Sequence, residues 1–144
     1  MRLTTYTDYG LRLLMYVVLK DGDLATIQEV ADAYGISRNH LMKVAHNLGL
    51  HGYLETVRGR GGGLKLARGP ERIGLGEVIR QMEGDFVMVE CFDAGENACR
   101  ITRACRLKGI LGEALKAYLS VLDKYTLADL ADDNPALTRL LLSA

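Results

Sequence analysis

The feature that most limits the fold is a pair of short amphipathic helices, joined by a glycine turn and followed directly by a glycine-rich hairpin. The capping box Thr26-Ile27-Gln28-Glu29 predicts the start of the first helix, with Glu29 bonding back to the backbone of Thr26. Gly35 suits the left-handed residue that ends this helix, and Ser37 is predicted to cap the second one. Two such helices indicate a helix-turn-helix. A further amphipathic helix is predicted before them, over about residues 7–20.

The segment after the helix pair predicts a β-hairpin. Residues 53–58 form a strand candidate, 59–63 are almost all glycine, and 64–66 form the return strand. A hairpin in this position is a wing, whose tip carries Arg58 and Arg60. The alternative, a nucleotide-binding loop, lacks both the Lys-Ser/Thr of a P-loop and a surrounding βαβ unit. Residues 1–72 are therefore predicted to form a winged helix-turn-helix domain.

Basic residues are concentrated in this predicted domain, although the whole chain has a formal net charge of zero. Residues 38–72 contain seven Lys and Arg but only two Asp and Glu. The second helix of the pair presents Arg38, Asn39, His40 and Lys43 near its N-terminal end, which in this motif enters the major groove of DNA. The helices alone are equally typical of a core hairpin with a polar outer face; the wing favours double-stranded DNA as the partner.

The only three cysteines, Cys91, Cys99 and Cys105, lie close together, with seven and then five residues between them. The N-terminus lacks a signal peptide and no apolar run is long enough to cross a bilayer, so a cytoplasmic protein with reduced thiols and no membrane contact is expected. Three clustered thiols in that compartment favour a metal site or a redox sensor. The wide spacing favours an iron–sulfur cluster over zinc, but a metal-free thiol switch and a zinc-stabilised module remain alternatives.

The C-terminal part predicts a linker and a long helix. Leu75, Val78, Ile79 and Met82 indicate a short helix, so residues 73–106 are assigned to a linker helix and cysteine-rich loop. From about residue 101 a heptad seam predicts a dimerisation helix, and 107–144 are assigned to it and a tail. The seam consists of Leu107, Leu111, Ala114, Tyr118, Val121 and Tyr125. The predicted class is mainly α, a winged helix-turn-helix with a long C-terminal dimerisation helix. No nucleophile–base or acid–base set indicates an enzyme.

Four stretches together resemble the family of winged-helix iron–sulfur repressors, which includes the NsrR and IscR groups. They are residues 1–10 (MRLTTYTDYG), 37–44 (SRNHLMKV), 58–64 (RGRGGGL) and the three cysteines. The resemblance is greatest to the nitric oxide-sensing NsrR group. IscR-like members place a histidine where this chain has Lys108, and the first cysteine gap is longer here than is usual in the family.

The resemblance implies a cytoplasmic homodimer that represses genes by binding palindromic operator DNA and is released when nitric oxide reacts with its cluster. It implies a 4Fe–4S cluster, with 2Fe–2S as the alternative, on Cys91, Cys99, Cys105 and Asp8 of the other subunit. From the residues alone Asp8 is only a candidate helix N-cap. The positions that match DNA contacts are Gln28, Asn39, His40, Lys43 and Arg58, with Arg60 in the wing and Ser37 and Arg38 beside them. An IscR-like iron–sulfur or redox-responsive regulator is the alternative function.

Overall fold

The chain folds as a mainly helical winged helix-turn-helix protein, which confirms the predicted fold class. The computed structural model describes residues 2–143. Its elements in chain order are α1 (Thr5–Leu19), α2 (Ile27–Tyr34), α3 (Arg38–Leu50), β1 (Leu54–Val57), β2 (Gly63–Leu66), α4 (Leu75–Glu83), α5 (Arg106–Leu122), α6 (Leu127–Ala131) and α7 (Pro135–Leu142). Short 3₁₀ helices lie at Pro70–Arg72 and Glu90–Phe92.

The core is built on α1, which packs against α3, α4 and α6. Leu13 and Leu14 of α1 are fully buried, as are Leu41 and Leu48 of α3. The capping box at the start of α2 is present, and Gly35 ends that helix in the left-handed conformation. The helical periodicity of the sequence identifies the buried face of α4 correctly, since Leu75, Val78, Ile79 and Met82 are all buried.

The wing is fastened to the helix-turn-helix by the backbone. Strands β1 and β2 are antiparallel, with Leu54 opposite Leu66 and Val57 opposite Gly63. Ala25, just before α2, exchanges two hydrogen bonds with Leu64 of β2, at N···O distances of 2.9 and 2.7 Å. A Cβ on Gly63 would approach the carbonyl oxygen of Ala25 to 2.8 Å, so glycine permits this pairing. The wing consequently holds a fixed position beside α2.

Helix α4 connects three parts of the molecule. Its Glu77 accepts a hydrogen bond of 2.8 Å from Arg68 at the base of the wing. Its Arg80 makes a bidentate pair with Asp123, at the end of α5, at 2.5 and 2.7 Å. Its last residue, Glu83, accepts hydrogen bonds from Thr4 at the start of α1. The linker helix is thus attached to the wing, α5 and α1 together.

Several local expectations need correction. The helical pattern from residue 101 does not begin a helix there: Ala104 N–H bonds to the carbonyl of Ile101, three residues back, and α5 starts at Arg106. Ser37 occupies the N-cap position of α3, but its side chain makes no capping hydrogen bond, because residue type does not dictate the rotamer that such a bond needs. Thr4, not Asp8, caps α1.

The C-terminal helices fold back onto the N-terminal core. Leu127 of α6 is fully buried and its N–H donates to the carbonyl of Ile73, at 2.8 Å. Gly74 and Thr126 form an antiparallel bridge beside it, and Leu141 of α7 is also buried. Within residues 2–143, no helix combines the length and apolar character needed to cross a membrane.

Candidate nucleic-acid interface and metal centre

The residues predicted to contact DNA are exposed and lie on three adjoining elements. Gln28 is at the start of α2, Arg58 and Arg60 are at the wing tip, and the others are at the start of α3. The full set is Gln28, Ser37, Arg38, Asn39, His40, Lys43, Arg58 and Arg60, every one of them solvent-exposed. The side-chain amide of Gln28 donates to Asp32 at 2.7 Å. The hydroxyl of Ser37 makes no capping bond, so it remains available to an external acceptor.

This surface carries uncompensated positive charge. Within residues 2–143, the side chains of Arg38, Lys43, Arg58 and Arg60 form no salt bridge. Free cations on an exposed surface attract phosphate groups and release counterions when they bind them. At the wing tip Gly59 and Gly61 have positive φ angles of 106° and 75°, which set the turn that displays Arg60 between them.

The N-terminal part of α1 directly supports the recognition helix. The hydroxyl of Tyr6 donates to the carbonyl of Lys43 at 3.1 Å. The ring of Tyr9 lies 6.3 Å from the ring of His40, centroid to centroid. Asp8 lies between these two tyrosines on the same helical turn. A displacement of this turn therefore reaches Lys43 and His40, which are both in the predicted DNA-contacting set.

The three cysteines lie on the irregular segment before α5, and all three are free and half-buried. Cys91 belongs to the 3₁₀ helix Glu90–Phe92, and Cys105 is the N-cap residue of α5. Cys99 begins a turn in which its carbonyl accepts from the hydroxyl of Thr102 at 2.8 Å, while its N–H donates to Asn97 at 3.1 Å. Cys91 thus lies inside a short helix, whereas Cys99 precedes a turn and Cys105 precedes α5.

The chemistry of this donor set fits an iron–sulfur group. Soft thiolate ligands favour such clusters. Residues 100–108 contain four basic residues and no acidic one, a composition that favours negatively charged ligands. In the described part of one chain, however, no three His, Cys, Asp or Glu side chains come together in a group able to hold a metal ion. The fold thus provides the donors without closing a complete site within one monomer.

Asp8, the predicted fourth ligand, lies in the first turn of α1 and not on the cysteine segment. Its Oδ2 is 2.9 Å from a guanidinium nitrogen of Arg12, one turn later, and its side chain is 45% exposed. The guanidinium of Arg12 also lies 5.9 Å from the centroid of the Tyr34 ring at the end of α2. Asp8 is accessible from outside the monomer, as a ligand supplied to another subunit must be.

The structure adds residues that the sequence patterns did not identify. Tyr6 and Tyr9 contact α3, and Glu83 contacts the start of α1 from 79 residues away. The Asp8–Arg12 pair has a local signal, since opposite charges four residues apart on a helix attract each other. The contact of Glu83 has no such signal, because nothing in the sequence indicates which distant residue a solvent-facing glutamate will meet.

Comparison with known proteins places the chain in a family. Residues 3–133 match the family model described as "Rrf2: Iron-dependent Transcriptional regulator". The HTH-type transcriptional regulator NsrR of Bacillus subtilis is 54% identical over 98% of this chain and 97% of its own length. The regulator of the same name from Bacillus licheniformis is 50% identical over 98% and 99%, respectively.

Solved structures agree with this assignment. Oxidised CymR of Staphylococcus aureus has a TM-score of 0.73 and 27% identity, covering 92% of this chain and 97% of that one. IscR of T. potens has a TM-score of 0.72 and 27% identity, covering 92% and 88%. With a winged helix-turn-helix, exposed basic residues on its recognition surface and a family match over most of its length, the chain belongs to the Rrf2 family of transcriptional regulators.

Proposed function

We propose that the protein is a nitric oxide-sensitive repressor, a homodimer that binds palindromic operator DNA while it holds an iron–sulfur cluster. The observation that carries this proposal is the placement of three free thiols between a winged helix-turn-helix and a helix with no buried residue. The full-length similarity to regulators named NsrR supports it. Cys91, Cys99 and Cys105 would hold the cluster, 4Fe–4S in our proposal, with Asp8 of the other subunit as the fourth ligand.

Helix α5 supports the dimer. None of its residues is buried in the monomer, although it spans Arg106–Leu122. Leu107, Ile110 and Val121 are between 51% and 60% exposed. With Ala114 and Ala117 they form an exposed stripe with the three- and four-residue spacing of a helix–helix seam. This stripe has Ile110 and Ala117 where the predicted seam had Leu111 and Tyr118, which are half-buried. A soluble chain gains free energy by covering such a stripe, and a second copy of α5 would do so.

The contacts of α1 explain how an intersubunit ligand could control DNA binding. When bound, such a cluster supplies iron atoms that react with nitric oxide. Asp8 would tether α1 of one subunit to the cysteine segment of the other, while Tyr6 and Tyr9 connect the same turn to Lys43 and His40. With Asp8 held, the two recognition helices keep the spacing of about 34–36 Å that successive major grooves require. With Asp8 free, α1 and α3 can shift together and the spacing is lost.

Release from the operator requires a large difference in DNA-binding free energy between the cluster-bound and cluster-free forms. Changing operator occupancy from nearly full to nearly empty needs a difference of about 5.5 kcal/mol between the two states. Neither the tyrosine contacts nor one carboxylate bond supplies this alone, but in a dimer every contact counts twice. Formation of the dimer and donation of Asp8 by each subunit to the other are consequently parts of the same mechanism.

The test begins with anaerobic purification, followed by a visible absorption spectrum, iron and sulfide analysis and titration with nitric oxide. Operator affinity is then measured with and without the cluster at one fixed salt concentration, on a fragment that the wild-type protein selects from sheared host DNA. Cys99→Ser should be colourless and should bind this fragment about a hundredfold or more weakly. A colourless variant that binds as tightly as the coloured parent would contradict the proposal.

A metal-free thiol redox switch is a second candidate. It is favoured by the absence of a closed three-ligand group among residues 2–143 and by the likeness to a CymR structure in its oxidised form. A thiol switch would form a disulfide reversibly under oxidant, without visible absorbance or bound iron. Mass spectrometry of the oxidised protein, beside iron analysis, distinguishes the two candidates.

A further inference from the structure

The start of α1 is held by a hydrogen-bond network that begins on α4. Glu83 Oε1 accepts from the N–H of Thr4 at 2.8 Å and from its hydroxyl at 3.1 Å. Thr4 is the N-cap of α1, so the Glu83 carboxylate lies at the helix end where backbone N–H groups favour negative charge. The residue that fixes this end thus comes from a distant part of the chain.

The same network continues to Asp8. The hydroxyl of Thr4 accepts from the N–H of Thr7 at 3.2 Å and lies 3.0 Å from the hydroxyl of Thr7, a fully buried side chain. The carbonyl of Thr4 accepts from the N–H of Asp8 at 3.0 Å. Glu83 therefore holds the residue to which the backbone of Asp8 is bonded.

A second contact between the two helices lies one turn further along α1. Gly10 is buried, and a Cβ at this position would come within 2.7 Å of the terminal methyl carbon of Met82. The absence of a side chain at Gly10 lets the end of α4 lie directly against α1. Glu83 and Met82 are consecutive residues of α4. Their contacts, with Thr4 and Gly10, lie before and after Asp8 along the chain.

We infer that Glu83 is a positioning residue for Asp8, fixing the first turn of α1 so that the carboxylate is presented to the other subunit. This inference rests on the proposed function, in which Asp8 is a cluster ligand. Glu83 is also the last residue of α4 and directly precedes the segment that leads to Cys91. It therefore connects the subunit's own cysteine segment to the ligand that the subunit donates.

The experiment uses the holoprotein and the apoprotein of Glu83→Ala, Glu83→Gln and Asp85→Ala. Asp85 is the matched control: it is exposed and two residues away, and among residues 2–143 its carboxylate accepts only from the N–H of Val87, at 3.2 Å. In the apoprotein, amide hydrogen exchange at Thr7 and Asp8 should accelerate about three- to tenfold in Glu83→Ala. In the holoprotein, the half-life of iron release to a chelator should shorten by a similar factor.

Glu83→Gln should fall between the wild type and Glu83→Ala, because its amide oxygen still accepts from Thr4. Asp85→Ala should match the wild type in both measurements. Faster exchange in Glu83→Ala without faster iron release would make Glu83 a merely structural residue and overturn the inference. Asp8→Ala serves as the reference: if it leaves iron release unchanged, Asp8 is no ligand and the inference falls with it. If Asp8→Ala accelerates release and Glu83→Ala does not, only the inference is wrong.

Discussion

At the scale of single residues, the basic side chains of the wing differ in whether they already have an acidic partner. Arg58 and Arg60 are exposed and unpaired within the described chain, whereas Lys65, lower on the wing, is 3.2 Å from Glu55 on the opposite strand. A cation that already has a partner releases fewer counterions on meeting a phosphate. Arg58 and Lys65 therefore carry the same charge, but we expect the loss of Arg58 to weaken DNA binding more than the loss of Lys65.

Arg58→Ala is expected to weaken operator binding about tenfold and to reduce the slope of log affinity against log salt by about one. The physical reason is the loss of one phosphate or groove contact at the wing tip. Lys65→Met removes the same charge from a paired side chain and should change both quantities much less. The measurement is a titration series at several salt concentrations, and an unchanged slope in Arg58→Ala would remove Arg58 from the DNA contacts.

At the scale of elements, capping decides where α2 begins and makes its stability depend on pH. Glu29 accepts from the N–H of Thr26 at 2.6 Å and from Nζ of Lys20 at 3.0 Å. The backbone hydrogen bond from Thr26 lowers the pKa of Glu29 below its ordinary value of 4.5, and the bond from Lys20 acts in the same direction. A lowered pKa in the folded state stabilises the fold above pH 4.5, and that contribution disappears as the pH falls through the folded-state pKa.

Glu29→Gln should therefore lower the free energy of unfolding by about 0.5–1 kcal/mol at pH 7, a modest value because the side chain is partly exposed. The difference from the wild type should shrink as the pH falls below 4.5 and should vanish once the pH is below the lowered pKa of Glu29, where the wild-type carboxylate is also protonated. Thermal unfolding of the apoprotein across this range checks it. Glu96→Gln is the control, since its carboxylate makes no hydrogen bond or salt bridge within residues 2–143; a Glu29→Gln deficit that persists at low pH would count against the capping explanation.

Local signals such as these determined how much could be predicted. Periodicity and caps predicted the helices of the winged helix-turn-helix domain, and the glycine-rich segment Gly59–Gly63 predicted the wing. Periodicity failed before α5, where residues 101–105 have helix-like composition but form turns with bonds to the third preceding residue. Nor did it indicate that the N–H of Leu127 would bond to the carbonyl of Ile73, because that residue is far away in the chain. Asp8 came from resemblance alone, since its proposed role requires a second chain.

At the scale of the whole molecule, α4 is the element through which the parts of the chain meet. Its side chains bond to Arg68 below the wing, to Asp123 at the end of α5 and to Thr4 at the start of α1. The arginine partner lowers the pKa of Asp123, so this carboxylate is ionised at neutral pH. A rigid link between α5 and α1 is what a dimer needs if the relative position of its subunits is to fix the spacing of two recognition helices.

Ile110→Glu is expected to give a monomer, because a charge in the middle of the exposed stripe of α5 cannot be covered at low cost. Operator affinity should fall about a hundredfold or more, since each winged helix-turn-helix domain then binds its half-site alone. Sedimentation velocity and operator titration are the measurements. Lys116→Glu, an exposed position on α5 outside the stripe, is the control; a dimeric Ile110→Glu would exclude the stripe as the seam.

The bridge between Gly74 and Thr126, with the bond from Leu127 to Ile73, closes a long loop at its base. Residues 75–125, from α4 through the thiols to α5, start and end at this base, and α4 itself is packed into the core. In a loop closed in this way, the part between α4 and α5 can change in length or in chemistry while the core folds as before. The long gap between Cys91 and Cys99 lies in that part, so its length can vary while the base of the loop and the winged helix-turn-helix keep their structure.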